Sequence, residues 1–415
     1  MNNNKNFYYL KIFIKVCLIL ILCTLNNCDK NTNPIKALPL DNGQAPIDTT
    51  YHNDFKLDIT NFHISIDSAS AVHSAILFGL DEPVGFNDYY INIIYLAGLW
   101  LGAYINGQAH ANIIWVGSYP QGNFIARCNS VRTGVFFIDP VILSCYDFTS
   151  LIRFGFPTDS HNIPRILGDV MCWSALETDT SVNTNIFQDP IPDLHISQTL
   201  YIYTDSEFER LFFLRYEIEN QGSAELNELY AGFYSDTDLL YYDNATGYDS
   251  SRGLSYTYTS YDSIFSTDSY VTGFAFLETP IEDGSQISMG SHRIMRKNNY
   301  LNPEFGERGI NTPEQVLFAL KGLDNFGNPM INPSTGKETK FAFTGDPITG
   351  TGWLDDIPID VRSLSSTEAF SLKGGEKKTI SIVWIVESGS NLSIALGNLK
   401  NKTDNIRNSR YLWEF

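Results

Sequence analysis

Histidine and cysteine are scarce in this 415-residue chain, and neither is arranged for metal or redox chemistry. The seven histidines (His52, His63, His73, His110, His161, His195 and His292) form no H-E-x-x-H or H-x-H pair, which removes the helical zinc-protease signature. The six cysteines include no C-x-x-C, so a zinc ribbon or a thioredoxin-like site is excluded. No Gly-x-Ser-x-Gly is present, and the glycine-rich Phe343–Asp356 stretch is followed by no Gly-Lys-Ser/Thr, which removes the nucleophile elbow and the phosphate loop. Basic residues are also few, 28 against 47 acids. A chain this acidic repels nucleic-acid phosphates and anionic lipid surfaces, so cations and neutral ligands such as sugars are the better partners.

The long apolar run that a membrane-spanning helix needs is missing as well. Val16 to Cys23 is unbroken but short, and Lys5, Lys11 and Lys15 precede or interrupt it. Residues 1–27 therefore read as a secretory signal peptide. Leu25-Asn-Asn-Cys28 is close to a relaxed bacterial lipobox, which makes Cys28 the expected lipidated first residue of the mature chain. An ordinary signal peptide with an incidental cysteine is the alternative. Removing residues 1–27 takes three lysines and no acid, so the formal charge moves from −19 to −22. Cys128, Cys145 and Cys172 remain beside Cys28. They allow one disulfide in an oxidising compartment, with Cys128 and Cys145 a candidate pair, or buried free thiols.

What is abundant is aromatic residues, 13% of the chain, set in short alternating runs. Residues 28–50 are rich in Asn, Asp and Pro and read as a tether. Asp54–Asp67 alternates twice with a break near Asn61, as one bent strand or two. Ile91 to Trp115 reads as a hairpin about Asn106-Gly107, a type I′ turn signal, with Gly98 and Gly102 marking a bulge or the close packing of another backbone. Leu211–Asn220 places Phe212, Leu214, Tyr216 and Ile218 on one side and Arg215, Glu217 and Glu219 on the other. With the Gln221–Ala224 turn and a strand at 229–234 it reads as a central hairpin, and a further strand runs from Gly253 to Tyr258. Residues 284–309 look irregular and hold the basic cluster Arg293, Arg296 and Lys297. Thr312–Gly322 carries every signal of a short helix: Thr312 as N-cap, Pro313 at the first position, Gln315 for a capping box, Gly322 at the stop. Residues 370–386 read as a terminal hairpin about Lys373-Gly-Gly-Glu, and 391–413 as a modest amphipathic helix weakened by Gly397. Many short strands and no βαβ rhythm predict an all-β, antiparallel sandwich architecture, as one large or two packed sandwich domains, with a short internal helix and a C-terminal helix. The connector before Pro192 is the expected boundary between an N-terminal part (51–190) and a C-terminal part (191–415).

The loop Ser235–Asp249 is the most function-like stretch. Asp236, Asp238, Asp243 and Asp249 offer hard oxygen ligands, the chemistry of a calcium site, although the spacing is not that of an EF-hand. Turn-forming aspartates are the competing reading. Asp346, Asp355 and Asp356 form a second acidic cluster. Tyr241, Tyr242 and Tyr248, with Tyr256, Tyr258 and Tyr261 nearby, put ring faces beside carboxylates, which suits sugar binding; tyrosine is also common in antiparallel sheets. The rival to a non-catalytic binding or structural module is a glycan-processing enzyme using paired carboxylates from this loop or Glu217 and Glu219.

Several phrases occur together: Leu96-Ala-Gly-Leu-Trp-Leu-Gly-Ala, Tyr216-Glu-Ile-Glu-Asn-Gln-Gly, Tyr230-Ala-Gly-Phe-Tyr-Ser-Asp-Thr-Asp, Thr349-Gly-Thr-Gly-Trp-Leu-Asp and Phe370-Ser-Leu-Lys-Gly-Gly-Glu. From Tyr89 onward the chain thereby resembles a group of large secreted proteins of Bacteroidota- and Ignavibacteria-like bacteria, many of which end in a type IX sorting domain. The resemblance implies an exported, β-rich surface protein. Tyr242-Asp243-Asn244 stands where that group carries a further Asp pair. No sorting domain is read at the end of this chain, which fits anchoring through Cys28. The expected location is the cell envelope, as an outer-membrane or surface lipoprotein, with glycan or another envelope protein as partner.

Overall fold

The computed structural model describes residues 55–59, 62–66, 72–78, 90–113, 124–126, 134–137, 148–153, 155–178, 189–239, 244–259, 268–296, 304–306, 309–357 and 360–415. In chain order the strands are β1 (Phe55–Ile59), β2 (Phe62–Ile66), β3 (Val72–Phe78), β4 (Tyr90–Ile94), β5 (Leu96–Ile105), β6 (Gln108–Ile113), β7 (Phe124–Ala126), β8 (Gly134–Phe137), β9 (Val170–Thr178), β10 (Leu194–Ile202), β11 (Leu211–Asn220) and β12 (Leu226–Asp236). They continue as β13 (Asn244–Asp249), β14 (Leu254–Thr259), β15 (Ser269–Glu278), the ribbon β16 (Ile281–Glu282) and β17 (Ser285–Gln286), β18 (Met289–Arg296), the ribbon β19 (Met330–Asn332) and β20 (Lys337–Thr339), β21 (Val361–Thr367), β22 (Phe370–Leu372) and β23 (Lys377–Gly389). The two larger helices are Pro313–Leu320 and Leu392–Asn408.

The strands form two large antiparallel sheets. The first runs β1-β2-β3-β5-β12-β21-β18, with β4 on β3, β6 on β5 and β22 on β12. The second runs β13-β14-β15-β23-β11-β10-β9-β7, with β8 on β9. Aromatic side chains from both meet in the core: Phe233 of β12 lies 5.0 Å from Phe274 of β15 and 6.3 Å from Trp384 of β23, ring centre to ring centre. The all-β sandwich read from the sequence is what the chain adopts. The connector before Pro192 joins β9 to β10, which are paired neighbours in one sheet, and both sheets draw strands from either side of it.

Two expected hairpins are instead arches that cross from sheet to sheet. β11 lies in the second sheet between β10 and β23, whereas β12 lies in the first between β5 and β21. Likewise β22 pairs with β12, and β23 pairs with β11 and β15. The two arches are stacked and share one fastening. Asn220 Nδ2 donates to Ala224 O (2.7 Å) and Leu372 O (3.0 Å), and Gly375 N donates to Asn220 O (2.7 Å). Alternation cannot tell an arch from a hairpin, because both turn the apolar faces of two successive strands to a common core.

Nor does the second sheet leave its outer face to water. The inner face of β11 buries Phe212, Leu214, Tyr216 and Ile218 as expected, but the outer Leu211, Phe213 and Arg215 are also buried. The helix Leu392–Asn408 covers that face with Ala395, Leu396, Leu399 and Ile406, after Asn391 caps it by accepting from Ile394 N at 3.1 Å. Over the first sheet lies Pro313–Leu320, capped by Thr312 as its sequence predicts. Gly102 of β5 and Gly232 of β12 make room for it: a Cβ on either would come within 2.8 Å of Leu317 or Leu320 side-chain carbons. The order is helix, sheet, sheet, helix. The Asn106-Gly107 turn has φ of 52° and 79°, as a type I′ turn requires. Residues 285–296, expected as irregular, form β17 and β18.

Candidate metal centre

At one end of the first sheet, β5, β12 and β21 finish together. Asp236, the last residue of β12, stands in register with Leu96 and Arg362. Its carbonyl accepts from Tyr95 N (2.9 Å), and two residues on Asp238 N donates to Ile93 O (3.2 Å). These main-chain bonds turn the chain so that Asp236 and Asp238 converge. Asp360, in a left-handed conformation with φ 37° just before β21, brings a third carboxylate. One oxygen of each of the three lies within 4.8 Å of the others. Arg362 spans the group: its Nη2 donates to Asp236 Oδ2 at 2.8 Å and its Nη1 to the carbonyl (2.7 Å) and carboxylate of Asp360.

Three carboxylates against one guanidinium leave a formal charge of −2 in a cluster whose Asp236, Asp360 and Arg362 side chains are 5–13% exposed. Two oxygens on one hard cation at ~2.3–2.6 Å lie no farther apart than about 5 Å, and the three carboxylate oxygens fall inside that limit. The triad can hold a metal ion, and its donors are all oxygen.

The other expected ligands fare differently. Asp249 is not brought to the triad. It pairs with Arg252 at 2.8 Å and accepts from the Ser251 hydroxyl at 2.6 Å. Burial acts to raise its pKa, but Ser251, Arg252 and Lys400 outweigh it and hold the carboxyl below the ordinary range. Asp243, Tyr241, Tyr242 and Cys28 lie outside the described residues, as do Cys128 and Cys145. Tyr248, expected as a sugar-stacking ring, is instead buried, stacked at 4.5 Å on His292 and at 5.4 Å on Phe341. Tyr256 and Tyr258 are buried too, on the expected strand β14, and β13, expected as loop, forms sheet beside it. The exposed aromatic beside the acids is Tyr95, which alternation within 91–105 had assigned to a continuous strand.

Of the strand pair Glu217 and Glu219 read for catalysis, Glu219 stands in register with Lys377 of β23 and Glu217 is tied down; Asp355 and Asp346 of the second acidic cluster are engaged as well. Glu217 lies 3.4 Å from Arg215, which also bonds Glu278 at 2.9 Å. Asp355 is buried against Arg296 at 2.9 Å, and burial raises its pKa against the pull of that arginine. Asp346 closes its own loop by accepting from Ile348 N. The arginines of the basic cluster are internal: Arg293 donates to Leu323 O at 2.7 Å and to the Asn325 side chain.

One constellation escaped the sequence. His195 and Ser197 share a face of β10, and Glu177 of β9 stands 3.9 Å from His195 Nδ1. The residues are those of a nucleophilic triad, but Ser197 Oγ accepts from Trp173 Nε1 (2.7 Å) and donates to Gly155 O (2.7 Å), and both Ser197 and His195 are 3% exposed. A hydroxyl whose proton is committed to a carbonyl beneath a loop has neither a free proton to give nor a path to substrate. Its role is to fasten residues 155–156 to the sheet.

No family model matches the chain, and no curated protein matches it. Among solved structures it is similar to a bacterial glucoamylase complexed with acarbose (8% identity, TM-score 0.36, over 84% of this chain and 35% of that one). It is also similar to a putative aldose 1-epimerase from Escherichia coli K12 (7%, 0.30, 81% and 99%) and to the heparan sulfate lyase HepC of Pedobacter heparinus (10%, 0.26, 84% and 38%). The chain spans about a third of the glucoamylase chain's length. Likenesses this slight carry no argument about activity.

Proposed function

We propose that this chain is an exported envelope protein, anchored by lipid at Cys28, whose folded part is a non-catalytic binding or structural module stabilised by calcium. The observation that carries the calcium reading is the convergence of Asp236, Asp238 and Asp360 at the sheet end. An all-carboxylate donor set with net charge left over after Arg362 favours a hard divalent cation, the remaining ligand positions falling to main-chain carbonyls or water. Against catalysis stand the engaged carboxylates and the buried Ser197. A surface role with a glycan or another envelope protein follows from the export signal and the acidic surface.

The test is titration calorimetry of the metal-stripped protein with calcium chloride. One-site binding that Asp238→Asn weakens at least tenfold supports the reading; absence of heat at millimolar calcium contradicts it. The anchor is tested separately, by labelling cells with a fatty-acid analogue: a Cys28→Ala protein that labels like the wild type contradicts lipidation.

A further inference from the structure

A second site lies on the other sheet, away from the carboxylate triad. The 3-10 turn Ser206–Phe208, the start of β11, the end of β23 and the C-terminal helix border a half-open pocket of about 210 Å³ lined by Ser206, Glu207, Glu209, Arg210, Leu211, Glu387 and Lys402. At ~30 Å³ per water displaced, it has room for roughly seven heavy atoms.

Its charged groups are held apart. Arg210 Nη1 donates to Ser388 Oγ at 3.1 Å, and Lys402 Nζ donates to Glu207 O at 2.8 Å. Each cation is positioned by one bond and keeps further N–H donors for the pocket. Glu387 lines the same space. Burial lifts its carboxyl above the ordinary range, although Lys402 and Arg210 pull the other way. Glu387 accepts a main-chain hydrogen bond from Ser388 and feels both cations without closing an ion pair to either, an arrangement that a ligand of alternating charge completes.

We propose that this pocket binds a small zwitterion of the α-amino-acid class, its ammonium on the Glu387 carboxylate and its carboxylate between Arg210 and Lys402. A simple anion gains the two cations but meets Glu387, Glu207 and Glu209. A simple amine gains the acids but leaves Arg210 and Lys402 facing the cavity. The zwitterion answers both. Glu387 must be ionised to receive the ammonium, so affinity rises with pH through its titration.

The experiment is titration calorimetry of the full-length protein in detergent micelles with each protein L-amino acid in turn, with propionate and glycine betaine for comparison. The expected result is one-site binding by at least one amino acid, with affinity lowered at least tenfold in Glu387→Gln and in Arg210→Ala. Betaine and propionate, which lack an N–H donor, bind at least tenfold more weakly. Lys402→Ala, which removes the other cation placed on the ligand carboxylate, is expected to lower affinity at least tenfold and supplies a third arm should either of the first two variants fail to fold. The proposal is overturned if no amino acid binds at 10 mM, if the folded variants bind as the wild type does, or if propionate binds as tightly as the amino acid.

Discussion

His292 is the residue on which acid stability turns. It is fully buried, stacked on Tyr248, with Nδ1 2.9 Å from Ser365 Oγ. Burial pushes its pKa down to about 3. The fold therefore favours the neutral ring. That contribution is complete above the unfolded value near ~6.5 and drains away as pH falls towards the folded value. Between pH 6.5 and 4.5 the loss is about 2–3 kcal/mol from this one group, at ~1.4 kcal/mol per unit. In urea melts His292→Gln, which keeps a polar partner for Ser365, is expected to flatten that part of the stability–pH curve. A variant as steeply acid-sensitive as the wild type would place the titration elsewhere. His292 was not legible as a core residue, because Met289-Gly-Ser-His-Arg-Ile shows no alternation: β18 is buried on both faces. The metal centre was half legible. Asp236 and Asp238 stand two apart in an acidic run, whereas Asp360 is far along the chain in an unremarked Asp-Val-Arg, and only the pairing of β12 with β21 joins them. Arg362 gives no sequence signal for the same reason.

At the scale of elements, sequence signals held where they were local. The Asn106-Gly107 turn, the capped helix at 313–320 and the alternation of β11 and β23 follow from neighbouring residues alone. The arches after β11 and β22 depend on which sheet each strand joins, a long-range choice that alternation does not encode. Glycine shows the same contrast. Gly102 read as a bulge or the close approach of another backbone, but what lies over it is side chains of the helix, Leu317 and Leu320. Gly102→Leu is expected to lift the helix from the sheet and cost ~1–3 kcal/mol by overpacking. In the C-terminal helix, a Cβ at Gly397 meets nothing within 4 Å, so Gly397→Ala is expected to stabilise by ~0.5–1 kcal/mol. Denaturant melts of the two variants give opposite shifts. Equal shifts would mean that the helix over Gly102 and Gly232 is not packed as described.

For the whole molecule, one sandwich joins residues from both ends of the chain, with a helix on each outer face. The carboxylate triad sits where three strands of one sheet end, and those strands come from around residues 96, 236 and 361. A cation bound there would tie together segments that are distant in sequence, in a chain whose acidity works against compaction. Binding to the native state alone, at about 100 times the dissociation constant, adds about 2.7 kcal/mol. The most direct measurement is the thermal melting midpoint of the protein in EDTA and then in millimolar calcium, for the wild type and for Asp238→Asn. The account predicts a rise of a few degrees with calcium, absent in the variant. A midpoint that calcium leaves unmoved, or that rises equally in Asp238→Asn, contradicts a calcium centre at Asp236, Asp238 and Asp360.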